Sequence, residues 1–156
     1  MERLIQERQD WKKNKIFGFY AKPLKNNDGT QDMYKWECGI PGPIESPWEG
    51  GLYELMLEFP EDYPSSPPKA KFKDKLFHPN IYPSGTVCLS ILSEEEDWRP
   101  KLKVRDLLLG IQNLLKNPNE KSPAQQDAYV AFIEDKQSYE AKVRVYAKEN
   151  SLYKKV

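Results

Sequence analysis

At 156 residues, with 38% hydrophobic and 12% aromatic side chains, the chain suits one domain with a buried core and not a disordered segment. Its 24 basic and 24 acidic residues balance, so no global field favours nucleic acid or an anionic membrane, and recognition by charge must come from local patches. No apolar run approaches the ~20 residues that span a bilayer, and Met1-Glu2-Arg3 opens no signal peptide, so an intracellular protein is expected; two cysteines with one histidine make neither a disulfide framework nor a four-ligand zinc site.

From Glu2 to Lys13 charged residues alternate with Leu4, Ile5 and Trp11, a spacing that sets the apolar residues on one side of a predicted helix. Arg8, Lys12 and Lys13 lie on the other side, with Lys15 just beyond, and read by themselves as a solvated face. Gly18 to Lys22 is a first strand, Asn26-Asn27-Asp28-Gly29 a turn, and Met33 to Ile40 a second strand in which Tyr34, Trp36, Cys38 and Ile40 share a face. Cys38 thus reads as a small core hydrophobe rather than a nucleophile. Leu52 to Phe59 alternates again with Tyr53, Leu55, Leu57 and Phe59 inward; Lys69 to Phe72 is a short fourth strand with Ala70 and Phe72 inward and Lys69 and Lys71 outward. The prolines from Pro60 to Pro68 exclude a central strand between these two, and Tyr63-Pro64, an aromatic before proline, is a candidate cis bond. Short connections make the strands an antiparallel meander with one buried face.

Phe77 to Leu92 holds the sole histidine and one of the two cysteines, and Pro79, Pro83 and Gly85 mark it as a long rigid loop. Cys88 leaves this loop into Leu89, Ile91 and Leu92, which anchor it on the core as a positioned nucleophile requires. Ser93 to Asp97 is a polar, acidic excursion ending at Trp98-Arg99-Pro100. A helix then runs from near Val104 to before Asn117-Pro118-Asn119, its apolar side made by Leu107, Leu108, Ile111, Leu114 and Leu115. Lys103 is a poor cap for it, partly offset by Asp106. Ser122-Pro123-Ala124 opens another helix with Pro123 in the first turn and Tyr129, Phe132 and Ile133 on its apolar side. Asp135 caps a last helix carrying Tyr139, Val143 and Tyr146, with Lys154 and Lys155 favourable near its C-terminus.

Cys88 admits two chemistries. A cysteine hydrolase would need His78 as base within hydrogen-bond reach of sulfur, yet His78 sits between Phe77 and Pro79 in a constrained turn, where an imidazole bonds backbone and fixes the loop. Thioester carriage asks less of the cysteine, since an ordinary thiol, pKa about 8.5, is a few per cent thiolate at pH 7 and thiol–thioester exchange is nearly neutral in energy. Its demanding step is attack by a lysine amine, of which about one in a thousand is neutral at physiological pH, so the site must dry and orient the amine. Asn80 suits that step, because an amide N–H can stabilise a tetrahedral oxyanion by about 3 kcal/mol; a residue that only pins the loop is the plainer reading, and the two are compatible.

His78-Pro79-Asn80, Cys88 eight residues after the asparagine, and Trp98 ten further on resemble the ubiquitin-conjugating enzyme family over nearly the whole chain. Tyr82 to Leu92 with Glu94 to Pro100, a segment longer than in typical members, is similar to the SUMO-conjugating branch. The resemblance implies the α+β ubiquitin-conjugating (UBC) fold as a single domain over 1–156: an N-terminal helix, a four-stranded antiparallel meander, then C-terminal helices. It implies a transferase that carries SUMO on Cys88, with Asn80 and Tyr82 at the reaction. Lys69, Lys71 and Ser84 would meet the acidic end of a hydrophobic-Lys-x-Glu target, and Ser122, Pro123, Ala124, Gln125 and Tyr129 would line the other side. Arg8, Lys12, Lys13 and Lys15 would bind SUMO non-covalently or the activating enzyme, on a surface interrupted by Gln9 and Asp10. Many relatives carry an acid where Ser122 stands; serine can orient an amine but not favour it by charge, which leaves desolvation, Tyr82 or an acid such as Asp127 to compensate. No metal or cofactor is implied, ATP being consumed by the separate activating enzyme. Expected partners are SUMO, its activating enzyme, SUMO ligases and lysine-bearing targets, with no nucleic acid or membrane, for a monomer of nucleus and cytoplasm. The rival readings are a conjugating enzyme for ubiquitin or another small modifier, and a non-catalytic binding module on the same fold.

Overall fold

The computed structural model describes residues 1–151. Along the chain run α1 (Glu2–Lys13), β1 (Tyr20–Lys25), β2 (Gln31–Pro41), β3 (Leu52–Glu58), β4 (Lys69–Phe72), a 3-10 turn (Ser90–Leu92), α2 (Val104–Lys116), α3 (Gln126–Glu134) and α4 (Lys136–Glu149). The four strands form one antiparallel sheet in sequence order. Register aligns Ala21, Cys38, Leu55 and Phe72 in one row across it, and Pro23, Trp36, Leu57 and Ala70 in the next. Both rows face inward, because residues two apart on a strand share a face and these are the apolar ones. Leu107, Leu108, Ile111, Leu114 and Leu115 of α2 are buried in the same core. Lys69 and Lys71 point to solvent from β4, as the alternation predicts.

Some boundaries differ from expectation. The first strand starts later and runs to Lys25, since Gly18 has φ +89° and the Phe19 amide closes a turn on Ile16, neither compatible with extended pairing. Ile5 is exposed while Glu7 is buried, so the inner side of α1 is Leu4, Glu7 and Trp11. α3 begins at Gln126 rather than Ser122: the amides of Ala124 and Gln125 both donate to the Pro79 carbonyl, at 2.7 and 3.2 Å, so this backbone serves the Cys88 loop and Pro123 is not in a helical turn. Ile133 is exposed, and the fully buried position of α3 is Ala128. Asp106 accepts from the Lys103 amide at 2.9 Å at the start of α2, and Asp135 accepts from the Ser138 amide at 3.2 Å at the start of α4. The Tyr63–Pro64 bond is cis. Lys154 and Lys155 lie outside the described residues.

Glu7 is held by the Tyr63 hydroxyl at 2.8 Å and by Arg3 at 3.3 Å, while Arg3 also donates to the Pro100 and Leu102 carbonyls. A carboxylate can be buried only with such partners, and here it ties α1 to the proline corner and to the entry of α2. Tyr63→Phe removes one donor while keeping the ring, and should lower unfolding stability by about 1–3 kcal/mol, read as a shift of the urea midpoint.

Candidate active site

The loop that carries the thiol is assembled around His78, which is fully buried. Its Nε2 lies 2.7 Å from the Leu114 carbonyl, one of the α2 C-terminal oxygens that lack an intrahelical partner, so Nε2–H donates there. Nδ1 then accepts from the Asn80 amide at 3.0 Å. Both ring nitrogens are thus used in the neutral form, and burial pulls the imidazole pKa down to about 4, opposed in part by the bond to Leu114. This histidine positions backbone and has no nitrogen left to act as base toward sulfur.

Asn80, also fully buried, extends the assembly. Its carbonyl accepts from the Cys88 amide at 2.9 Å. Its side-chain nitrogen donates to the carbonyls of Asn119 at 2.8 Å and Ser122 at 2.7 Å, and its side-chain oxygen accepts from the Asn119 amide at 2.8 Å. Gln125, buried as well, donates from its side chain to the Leu76 and Ile81 carbonyls at 2.7 and 2.9 Å. Further along, Val87 N donates to Ala70 O and Phe72 N to Gly85 O, and Gly85, with φ +95°, passes so close that a Cβ would collide with the Phe72 carbonyl. The loop is therefore fastened to α2, to residues 119–125 and to β4.

Cys88 opens onto a groove of about 300 Å³ whose wall includes Tyr82, Ser93, Glu96, Leu114, Asn119 and Ser122. It is half-buried, whereas Cys38 is 1% exposed, and burial, with the Glu37 charge adding to it, pushes the Cys38 thiol far above the ordinary range. Of the two thiols only Cys88 can meet a large acyl donor.

The sequence model of the ubiquitin-conjugating enzyme family matches residues 3–147. The chain belongs to that family. It is 53% identical to the "Sumo-conjugating enzyme ubc9" of Dictyostelium discoideum over 146 residues, covering 94% of this chain and 92% of that protein. It is 52% identical to the "SUMO-conjugating enzyme UBC9" of Caenorhabditis elegans over 142 residues, covering 91% of this chain and 86% of that one.

In this ubiquitin-conjugating enzyme the groove brings together Cys88, Tyr82 and Ser122, with Asn80 buried behind them. Both Asn80 amide protons are committed to backbone carbonyls, so donation to an oxyanion requires one to be released. Gln125 turns its side chain into the loop rather than the groove. Lys69 and Lys71 stand on the solvent face of β4, and the Ser84 hydroxyl pairs with Thr86 at 3.0 Å; these three, with Pro123, Ala124 and Tyr129, are not on the groove wall. On α1, Arg8 donates to the Ala21 carbonyl at 3.2 Å and so is partly structural, while Lys12, Lys13 and Lys15 are exposed. Two contributors escaped the sequence reading. Asn119 was visible only as part of a helix-stopping Asn-Pro-Asn, and Glu96 only as one acid in a run; no spacing rule brings either to Cys88.

The His78 pKa fixes a sign for acid stability. Its folded value near 4 lies below the 6.5 of a free imidazole, so the unfolded chain binds the extra proton first. The contribution is intact above pH 6.5 and declines as pH falls toward 4, by about 3 kcal/mol in all. Urea midpoints measured across that window should fall for the parent protein and flatten in His78→Gln.

Proposed function

We infer that the chain is a SUMO-conjugating transferase. The SUMO-activating enzyme, which consumes the ATP, delivers SUMO as a thioester; the Cys88 thiolate attacks its carbonyl carbon, the old C–S bond breaks, and the donor sulfur leaves as thiolate. A target lysine amine then attacks the new thioester, its C–S bond breaks, Cys88 departs as thiolate, and nitrogen loses a proton as the isopeptide forms. The observation that carries this reading is the one open thiol, held by Asn80 at the groove while Cys38 is sealed in the core. What supports SUMO over ubiquitin as cargo is the pair of SUMO-conjugating relatives aligned over more than 90% of this chain.

Within this reading Tyr82, 43% exposed at the groove, shields the amine from water, and Asn80 contributes first by holding the sulfur in place. The outward Lys69 and Lys71 with Ser84 receive the acidic residue of a target motif, while Pro123, Ala124 and Tyr129 flank it. Lys12, Lys13 and Lys15, with the edge of Arg8, form the basic surface of α1 that engages SUMO or the activating enzyme. The enzyme works as a monomer with ligases that bring targets, in nucleus and cytoplasm, and needs no metal or cofactor of its own.

Incubation with ATP, SUMO and the SUMO-activating enzyme, in parallel with ubiquitin and its own activating enzyme, reads the cargo on gels with and without reducing agent. A thiol-sensitive SUMO adduct is expected, lost in Cys88→Ala and kept in Cys38→Ala; charging by ubiquitin alone would replace SUMO as the cargo. Ser122→Asp should leave thioester formation unchanged and alter only the rate of discharge onto lysine, measured by single-turnover chase. A changed charging rate would sink that assignment.

A further inference from the structure

Attack by an amine places positive charge on nitrogen as the C–N bond forms, so a carboxylate facing the groove would stabilise the transition state. Ser122 cannot supply one. Its carbonyl accepts from Asn80, and its hydroxyl oxygen accepts from the Asn119 side chain at 3.3 Å. Asp127, on the first turn of α3, is exposed and not on the groove wall, and neither is Glu120. Of the acidic run after the 3-10 turn, Glu94, Glu95 and Asp97 are not on that wall either.

Glu96 is. Its position is set by a closed turn: the Glu96 and Trp98 amides donate to Ser93 O at 3.2 and 3.1 Å, and the Asp97 amide to Ser90 O at 3.1 Å. Arg99 spans the Glu96 and Trp98 carbonyls, and buried Trp98 donates from its indole to Pro64 O at 3.2 Å. No ion pair among the described residues occupies the Glu96 carboxylate. Among the described residues it is the one acidic residue on the wall that also holds Cys88, Tyr82 and Ser122.

We propose that Glu96 faces the incoming lysine amine and supplies, from its own place on the groove wall, the negative charge that Ser122 lacks. The nitrogen lone pair adds to the thioester carbonyl carbon, the C–S electron pair leaves with Cys88, and the surplus nitrogen proton passes to solvent; the carboxylate stabilises the charge on nitrogen throughout. This rests on the conjugating function above and names the acid of that site.

The test uses the full chain, charged on Cys88 and then chased. Charging is read first, and failure to charge with SUMO or ubiquitin overturns the function and this role with it. With charging intact, Glu96→Gln should slow discharge onto free lysine about fivefold, a gap that narrows as salt rises. Discharge onto dithiothreitol, whose attacking thiolate is anionic, should be unchanged or faster, and Ser122→Asp in the Glu96→Gln background should restore transfer to lysine. Glu95→Gln serves as the control and should behave as the parent. Parental discharge onto lysine by Glu96→Gln, or equal slowing toward lysine and dithiothreitol, overturns the proposal.

Discussion

A neutral, fully buried imidazole joins the end of a helix to the loop that carries the nucleophile. His78 donates a hydrogen bond from its one ring N–H to the Leu114 carbonyl and accepts one from the Asn80 amide, so the α2 terminus and the backbone before Cys88 are fixed by the same ring. From there the bonding spreads: Asn80 holds the Cys88 amide through its carbonyl and residues 119–122 through its side chain, and Pro79 holds the two amides after that. Protonating the ring would replace the acceptor at Nδ1 with a second donor facing the Asn80 N–H, so the structure needs the uncharged form. The site is consequently a product of backbone anchoring, with the reactive side chain placed last.

The same residue type meets two fates because of sheet register. Cys38 falls in the inward row between Ala21 and Leu55, where desolvation opposes ionisation. Cys88 lies past the fourth strand, at a groove lined by a tyrosine, serines and a glutamate. Reactivity is decided by position relative to the core, and nothing further is needed to leave a single competent sulfur.

The elements were legible wherever apolar spacing was strong: β4 and α2 coincide with their expected spans, and the inward set on β2 and β3 follows from strict alternation. Boundaries failed where long-range bonds override local preference. Ser122-Pro123-Ala124 has the composition of a helix start, yet its neighbouring amides are taken by Pro79, seen only when the chain folds back. Ile5 and Ile133 were assigned inward by hydrophobicity, whereas Glu7, charged and buried, depends on Tyr63 from 56 residues away. Cys88, Asn80 and the structural part of His78 could be read from turn chemistry and residue order. The service of Gln125 to the loop and the approach of Glu96 to the groove are tertiary facts with no local signature.

The bonds from Gly85 and Val87 to Phe72 and Ala70 also have a bearing on solubility. β4 ends the sheet, and an end strand with bare N–H and C=O groups is a template for another chain. The loop that presents the thiol lies along that margin and occupies part of it, while at the opposite margin Pro23 removes a donor from β1. Loosening the loop therefore uncovers a pairing surface as well as misplacing a sulfur, so activity and resistance to aggregation decline together.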